Sequence, residues 1–524
     1  MRAINVLLSL LVVLVIGALA LEGGLRLIGR GPAPTLNRFD AELGWSKVPG
    51  RSMQRRGDSY RAHFAINELG LRDDAMSSPA KAPGVFRVIA LGDSFTLGYT
   101  VERDELFVDL LERDLRAAGT PIEFVNAGTE GYSTDQEARW LDVHGAAFQP
   151  DLVLLFPYEN DIYWNGQAQY TRFPKPRYAP DGTLEPRVLA DPGPRPLVDR
   201  WAVAGLLKPF VSKPAAESTF HAPRFGRAVR SEFAPLLSTP PAFVAEAEAH
   251  TRGALLALQQ RCAALGATLV VAPIPSNSAI DPAFANEFGS RVLYAPRDAW
   301  SPDRPVDVFL GACAELGIQT LDARPALRER TRAGEKLYLD LFADREWHFT
   351  PAGNAAFAEF LRVELDRLGV LPATAHGAAP IALASAQTGG GLPTWLQLYL
   401  GLWLVLTLGY ALTYPKEPRW TAPLTTGVML GLVFSIFLGG GWLVRQIPPA
   451  YAGVVMGGFV ALVLGFVAWK LGSRLMTIFE LLKAFVLRGH WYLMPLVVVL
   501  LTIGSLLVVA ASSPLIAPFI YTLF

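Results

Sequence analysis

Apolar positions along this chain follow two different patterns. Between Phe86 and Leu368, short runs rich in β-branched and aromatic residues alternate with longer stretches whose apolar positions recur at helical spacing. "FRVIAL" is followed by "ELFVDLLERDLRAAG", "IEFVNAG" by "TDQEARWLDVHGAAF", and "DLVLLFPY" by a long insertion. Beyond it come a helix around Ala245–Leu265, the strand "ATLVVAPIP", the helix "PVDVFLGACAELG", the short strand "IQTLDA" and a final helix from Pro351. Strands alternating with helices predict an α/β domain with a parallel sheet covered on both faces. Sites in such sheets collect beyond the carboxyl ends of the strands, and Ser94, Gly128 and Asn160 each fall at or just past such an end.

The second pattern consists of long uncharged runs. Ile4–Leu21, preceded by Arg2, reads as a signal anchor, with a cleaved signal peptide as the alternative because Ala18-Leu19-Ala20 offers a small-x-small site. Near the other end, about Leu392–Tyr414, Leu424–Leu443, Tyr451–Trp469 and Tyr492–Ala511 each approach the ~20 residues a bilayer requires. Lys416, Arg419, Lys470, Arg474, Lys483 and Arg488 fall in the loops that share a side with Arg2. Positive charge gathers on the cytoplasmic side, which places the large domain outside and Arg445 in an outer loop. Ser473–Gly489 has the spacing of an interfacial or connecting helix. The expected organisation is therefore an anchor or signal over 1–22, a lead-in over 23–85 and an α/β domain over 86–370. A linker over 371–391 and a membrane region of about four helices over 392–524 complete it.

Composition agrees with two or more units: the chain has 524 residues, of which 51% are hydrophobic. Lys plus Arg equals Asp plus Glu, 47 each, so no overall basic field points to nucleic acid. Cys262 and Cys313 lie in apolar helical stretches and read as buried free thiols. No metal-ligand spacing occurs, and neither a metal nor another cofactor is expected. The insertion, about 165–230, holds eleven Lys/Arg against five Asp/Glu and is rich in Pro and aromatic residues; a lid and a structural insertion are both open.

The candidate chemistry lies at the ends of the strands. Ser94 follows Gly92-Asp93, where glycine permits a tight turn and the next helix can aim N–H groups at an anion. By itself Gly-Asp-Ser is a turn-and-cap signal. The second strand ends "VNAGTEGYSTDQ", where Gly128 can bring its N–H close to a substrate, and the third ends "FPYENDIYW", where Asn160 offers an amide donor. Near the domain's end, in "LYLDLFADREWHFTPAGNAAFAEFL", His348 precedes the helix-start signal Thr350-Pro351.

These four blocks, in this order, resemble the SGNH (GDSL) hydrolase family over about Asn67 to Leu368, and "AINELGLRDD" resembles lead-ins of membrane-linked bacterial members. The resemblance implies a flavodoxin-like three-layer α/β fold. Ser94 would be the nucleophile, with His348 as general base and then acid. The Ser94 N–H, the Gly128 N–H and the Asn160 side chain would bind the oxyanion. Two positions depart from the family pattern. Tyr158 stands where the third block normally begins with Gly, and Arg345 stands where the family's acid lies, three residues before the His. Asp344 is taken as the acid, with Glu346 as the alternative. The last stretch, from Trp491, resembles small bacterial membrane proteins of unassigned function, which implies no chemistry.

The expected protein is a membrane-anchored extracytoplasmic serine esterase of the bacterial inner membrane. Its substrate would be O-acyl, foremost O-acetyl, esters of an envelope or exported glycan. An O-acyltransferase using the same triad, or a catalytically degenerate scaffold of a membrane glycan-assembly complex, is the alternative. Its partners would be the ester substrate, the bilayer and other membrane proteins.

Overall fold

The computed structural model describes residues 35–372 except 58, 75–77, 194–200, 203, 205–218, 222–226 and 345, together with residue 22, residues 201, 202 and 204 inside those limits, and part of 400–431. The chain divides into two compact units, one of Pro32–Arg200 with Leu207–Ala386 and one of Met1–Gly31, Trp201–Leu206 and Gln387–Phe524.

The larger unit opens with two antiparallel hairpins, β1 (Asn37–Asp40) with β2 (Gly44–Lys47) and β3 (Ser52–Arg56) with β4 (Arg61–Ala65). The central sheet follows: β5 (Phe86–Gly92), β6 (Ile122–Asn126), β7 (Leu152–Phe156), β8 (Thr268–Val271) and β9 (Gln319–Thr320). Every pairing in it is parallel, in the order β9-β8-β7-β5-β6. This is the flavodoxin-like order that the family resemblance implies. It has a topological switch point between β5 and β7, where a crevice opens beyond the strand ends.

Helices cover both faces because the inner strands are apolar on both, and all five residues of β7 are buried. On one face Val88, Leu154, Phe156 and Val270 pack with α2 (Phe107–Ala117) and α8 (Pro351–Leu368). On the other, Ile89, Val153, Leu155 and Val271 meet α3 (Thr134–Phe148), α5 (Ala242–Leu265) and α6 (Arg304–Leu316). Cys262 and Cys313 are free and buried in this second layer, as their apolar settings suggest.

The front of the insertion is structural. Lys175 is wholly buried and ion-pairs with Asp135 at the start of α3, while the Tyr178 carbonyl lies 2.7 Å from His250 Nδ1 of α5.

The lead-in is bound into the domain. Leu36, Ala62, Phe64 and Ile66 form one apolar cluster with Leu97, just past Ser94. The motif "NELGLRDD" acts as a strap: Asn67 Oδ1 accepts from the Leu69 and Leu71 amides, both at 3.0 Å, and so shapes its turn. Arg72, 1% exposed, donates to the carbonyls of His63, Leu97, Gly98 and Val101. Asp73 Oδ2 accepts from the Asn126 amide at the end of β6, 2.9 Å away.

Among the described residues no helix is long and apolar enough to cross a membrane. The runs expected to span, Ile4–Leu21, Leu392–Tyr414, Leu424–Leu443, Tyr451–Trp469 and Tyr492–Ala511, lie wholly or largely outside the described residues, as does Ser473–Gly489. Within the smaller unit, Thr407 and Thr426 share a hydrogen bond of 2.7 Å and Trp403 Nε1 donates to the Pro423 carbonyl. Leu400, Leu404 and Leu408, and likewise Trp420, Leu424 and Val428, recur every four residues and stand exposed.

Candidate active site

Ser94 begins α1 (Ser94–Leu97), one short turn at the carboxyl end of β5, beside the switch point. Asp93 is the cap: its carboxylate accepts from the Phe95 amide at 2.8 Å, which frees the Ser94 hydroxyl from capping. Gly92 is required by crowding, since a Cβ there would lie 2.1 Å from Thr96 Oγ1. Burial pushes the Asp93 carboxyl up; the Phe95 amide, His348 and Ser94 hold it back.

His348 reaches this serine across 254 residues of chain, with Nε2 2.8 Å from Ser94 Oγ. Asp93 Oδ2 is the more distant partner for that hydroxyl, at 3.4 Å. The loop carrying His348 runs extended beside Leu337–Leu339, held by the Leu339 amide on the His348 carbonyl and the Thr350 amide on the Leu337 carbonyl. Thr350 then caps α8 through the Gly353 amide. Aromatic rings wall the imidazole, with Phe95 4.8 Å and Tyr99 5.2 Å between ring centroids and Trp347 stacked at 6.1 Å.

The carboxylate at His348 is that of Glu346, with Oε2 2.9 Å from Nδ1. Asp344 lies elsewhere: it accepts from the Ser59 hydroxyl and, 3.0 Å away, from the Asp340 amide, and so ties up its own turn. The expectation that Asp344 pairs with His348 is therefore corrected to Glu346. The reason is local: Asp344 closes its own turn on the Asp340 amide, while Glu346 is held at His348 by Arg55 and Tyr60. Arg345 lies outside the described residues. A carboxylate can only accept, so Nδ1 carries the proton and Nε2 is left to accept from Ser94, which is the tautomer a general base needs. Burial would raise the Glu346 carboxyl, but the hydrogen bond and charge of His348, with Arg55 and Tyr60, hold it below the usual range.

The three expected oxyanion donors fare differently. The Ser94 amide has no acceptor among the described residues. Asn160, just past β7, makes no side-chain hydrogen bond there either, and its Oδ1 is buried without a partner. Gly128 is corrected: its amide donates to Asn126 Oδ1 at 2.9 Å. What demands glycine at 128 is close approach, since a Cβ would lie 2.4 Å from the Leu97 nitrogen and 2.6 Å from the Thr96 carbonyl carbon. In the same loop the amide of Gly131 has no acceptor among the described residues, and the residue sits at φ +75°. Tyr158 is buried against Phe95, ring centroids 4.6 Å apart, and Phe95 in turn borders the imidazole.

Residues 90–356, just over half of the chain, match the GDSL-like Lipase/Acylhydrolase family. The chain belongs to that family. As a GDSL hydrolase it is a serine esterase-type enzyme. Solved structures similar to it include a lipase/acylhydrolase from Enterococcus faecalis, 16% identical over 55% of this chain and 97% of that one, with a TM-score of 0.30. An esterase from Pseudoalteromonas sp., inhibited by monoethylphosphonate, is 12% identical over 54% and 97%, TM-score 0.28. An acetyl xylan esterase is 12% identical over 53% and 100%, TM-score 0.31. No curated protein matches. Residues 475–524 match a separate family of unknown function (DUF5989), in keeping with the resemblance noted for the C-terminal stretch.

The site residues that sequence reading missed are Arg55, Tyr60 and Arg72. Only "NELGLRDD" carried a signal for any of them, as a lead-in whose chemistry was not legible. Arg55 sits 291 residues from Glu346, and no local pattern marks that contact.

Proposed function

We propose that this GDSL hydrolase is a membrane-anchored extracytoplasmic esterase that removes short O-acyl groups, foremost O-acetyl, from an envelope or exported glycan. The observation that carries its chemistry is the unbroken line from Ser94 Oγ to His348 Nε2, 2.8 Å, and from His348 Nδ1 to Glu346 Oε2, 2.9 Å. Ser94 attacks the ester carbonyl as His348 takes its proton. Glu346 stabilises the imidazolium that forms and stays ionised. The carbonyl oxygen becomes an oxyanion, for which the unsatisfied Ser94 amide and the Asn160 amide are the donors, with the unsatisfied Gly131 amide the candidate third. His348 returns the proton to the departing sugar oxygen, leaving acetyl on Ser94. Water, deprotonated by His348, then releases acetate and restores the serine.

A short acyl group is supported by the bulk of Phe95, next to Ser94 in the chain and packed on both Tyr158 and His348. The membrane reading draws support from the exposed apolar stripes Leu400-Leu404-Leu408 and Trp420-Leu424-Val428, the faces lipid would cover, with the Thr407–Thr426 bond between the two segments. Acyl transfer is the same scheme with a sugar hydroxyl in place of the water. A degenerate scaffold is the less favoured reading, because the Ser–His–Glu line is intact.

The test uses the purified full chain with p-nitrophenyl acetate, alongside Ser94→Ala and His348→Ala. Turnover well above both variants is expected, together with covalent labelling of Ser94 by a fluorophosphonate. Equal background turnover in all three, without labelling, would sink the proposal. A dependence of product on an added sugar alcohol would turn hydrolase into transferase.

A further inference from the structure

Glu346 has a second oxygen, and it is not idle. Oε1 accepts from Arg55 Nη2 at 3.1 Å and from the Tyr60 hydroxyl at 3.2 Å. Both donors come from the β3–β4 hairpin, upstream of residue 90 where the family match begins. Arg55 also donates to the Tyr99 carbonyl at 3.4 Å and lies over the Tyr99 ring, which itself borders the imidazole.

We propose that Arg55 and Tyr60 are positioning residues of the catalytic centre, clamping Glu346 so that it can serve as the triad acid from two residues before His348. The clamp rests on the reading of Ser94, His348 and Glu346 as the triad. A glutamate has one more rotatable bond than an aspartate, and on a loop its carboxylate would divide among rotamers. Two donors on Oε1 leave one arrangement, with Oε2 on Nδ1. The guanidinium also keeps the acid ionised against its burial. Burial is the largest influence on the Tyr60 phenol, which is pushed up to about 12, so it remains a donor wherever the enzyme works.

The clamp predicts a pH signature. Glu346 is faced by His348, Arg55, Tyr60 and Tyr99, and His348 is faced in addition by Asp93. Removing the Arg55 charge leaves the carboxylate free to stabilise the imidazolium more strongly. The acid limb of kcat/KM should then move to higher pH.

The experiment measures kcat and kcat/KM against pH for the full chain on p-nitrophenyl acetate. Arg55→Gln is expected to lower kcat about tenfold or more and to shift the limb upward. Arg55→Lys, which keeps the charge but not the fork, should leave the limb in place with an intermediate kcat. Placed on a Glu346→Gln background, Arg55→Gln should cost little more, because its effect acts through that carboxylate. An unmoved limb together with full additivity would mean that Arg55 is only structural and would overturn the clamp; so would unchanged kinetics. Should Arg55→Gln fail to fold, Tyr60→Phe decides by the same cycle, non-additivity with Glu346→Gln supporting the clamp and additivity refuting it. Wild-type turnover equal to that of Ser94→Ala would instead bring down the triad reading, and the clamp with it.

Discussion

Replacing Glu346 by Gln tests which carboxylate serves His348 and why an isosteric amide cannot. In the wild type Glu346 accepts on both oxygens, from His348 Nδ1–H on one and from Arg55 and Tyr60 on the other. Glutamine offers one acceptor and one donor. Arg55 and Tyr60 both need an acceptor, so the amide oxygen turns to them and the NH2 group turns to His348. Nδ1 must then accept, its proton moves to Nε2, and the nitrogen 2.8 Å from Ser94 can no longer take the hydroxyl proton. Where a triad acid is neutralised in this way, kcat falls by ~10³–10⁴, or about 4–5.5 kcal/mol of barrier. Asp344→Asn touches only the contacts with Ser59 and the Asp340 amide and should leave kcat within about threefold. The assay is initial-rate hydrolysis of p-nitrophenyl acetate by each full-length variant, with Ser94→Ala as the floor. If Glu346→Gln stays within tenfold of wild type, or Asp344→Asn loses more than it, the tautomer argument is wrong.

Gly128→Ala should lower both stability and kcat, because its methyl would stand 2.4 Å from the Leu97 nitrogen, where only backbone can yield; about 1–3 kcal/mol in denaturant titration is expected, with a larger fall in kcat than that loss of fold explains. Lys175→Met leaves Asp135, 1% exposed, without its counter-charge and should cost about 3–5 kcal/mol, read as a lowered urea midpoint. Glu137, 1% exposed with neither oxygen hydrogen-bonded and Asp161 beside it, holds its proton well above the usual carboxylate range, chiefly through burial. The folded state therefore binds more protons than the unfolded chain, and stability drains away as pH rises above the ordinary Glu range toward the raised value. Glu137→Gln should flatten that slope and raise Tm at pH 8; a Tm profile parallel to wild type would count against it.

How much of this the amino-acid order revealed depends on how local each feature is. The five strands and their helices were legible because burial on both faces of a parallel sheet writes unbroken apolar runs such as Leu152–Phe156. Ser94, Asn160 and His348 were legible because each sits at an element boundary with its own turn or cap chemistry. Gly128 was placed correctly at the tip of a strand but misread in role, since an Asn two residues earlier captures its amide. The acid was misread because counting residues says nothing about which carboxylate a turn ties up, and Asp344 is occupied by the Asp340 amide and the Ser59 hydroxyl. Arg55 and Arg72 were illegible as site residues, because their partners are set by tertiary contact.

Arg72 has a further consequence, a mechanical one. With four carbonyls as acceptors, two of them in the turn that ends α1, it makes the lead-in a continuation of the nucleophile's own support. Tension applied at residue 35 would therefore run through the hairpins into Leu97 and Gly98, three and four residues past Ser94. An enzyme tethered from that side would carry load on its nucleophile turn, so pulling on the tether in a single-molecule experiment should slow turnover before the domain unfolds.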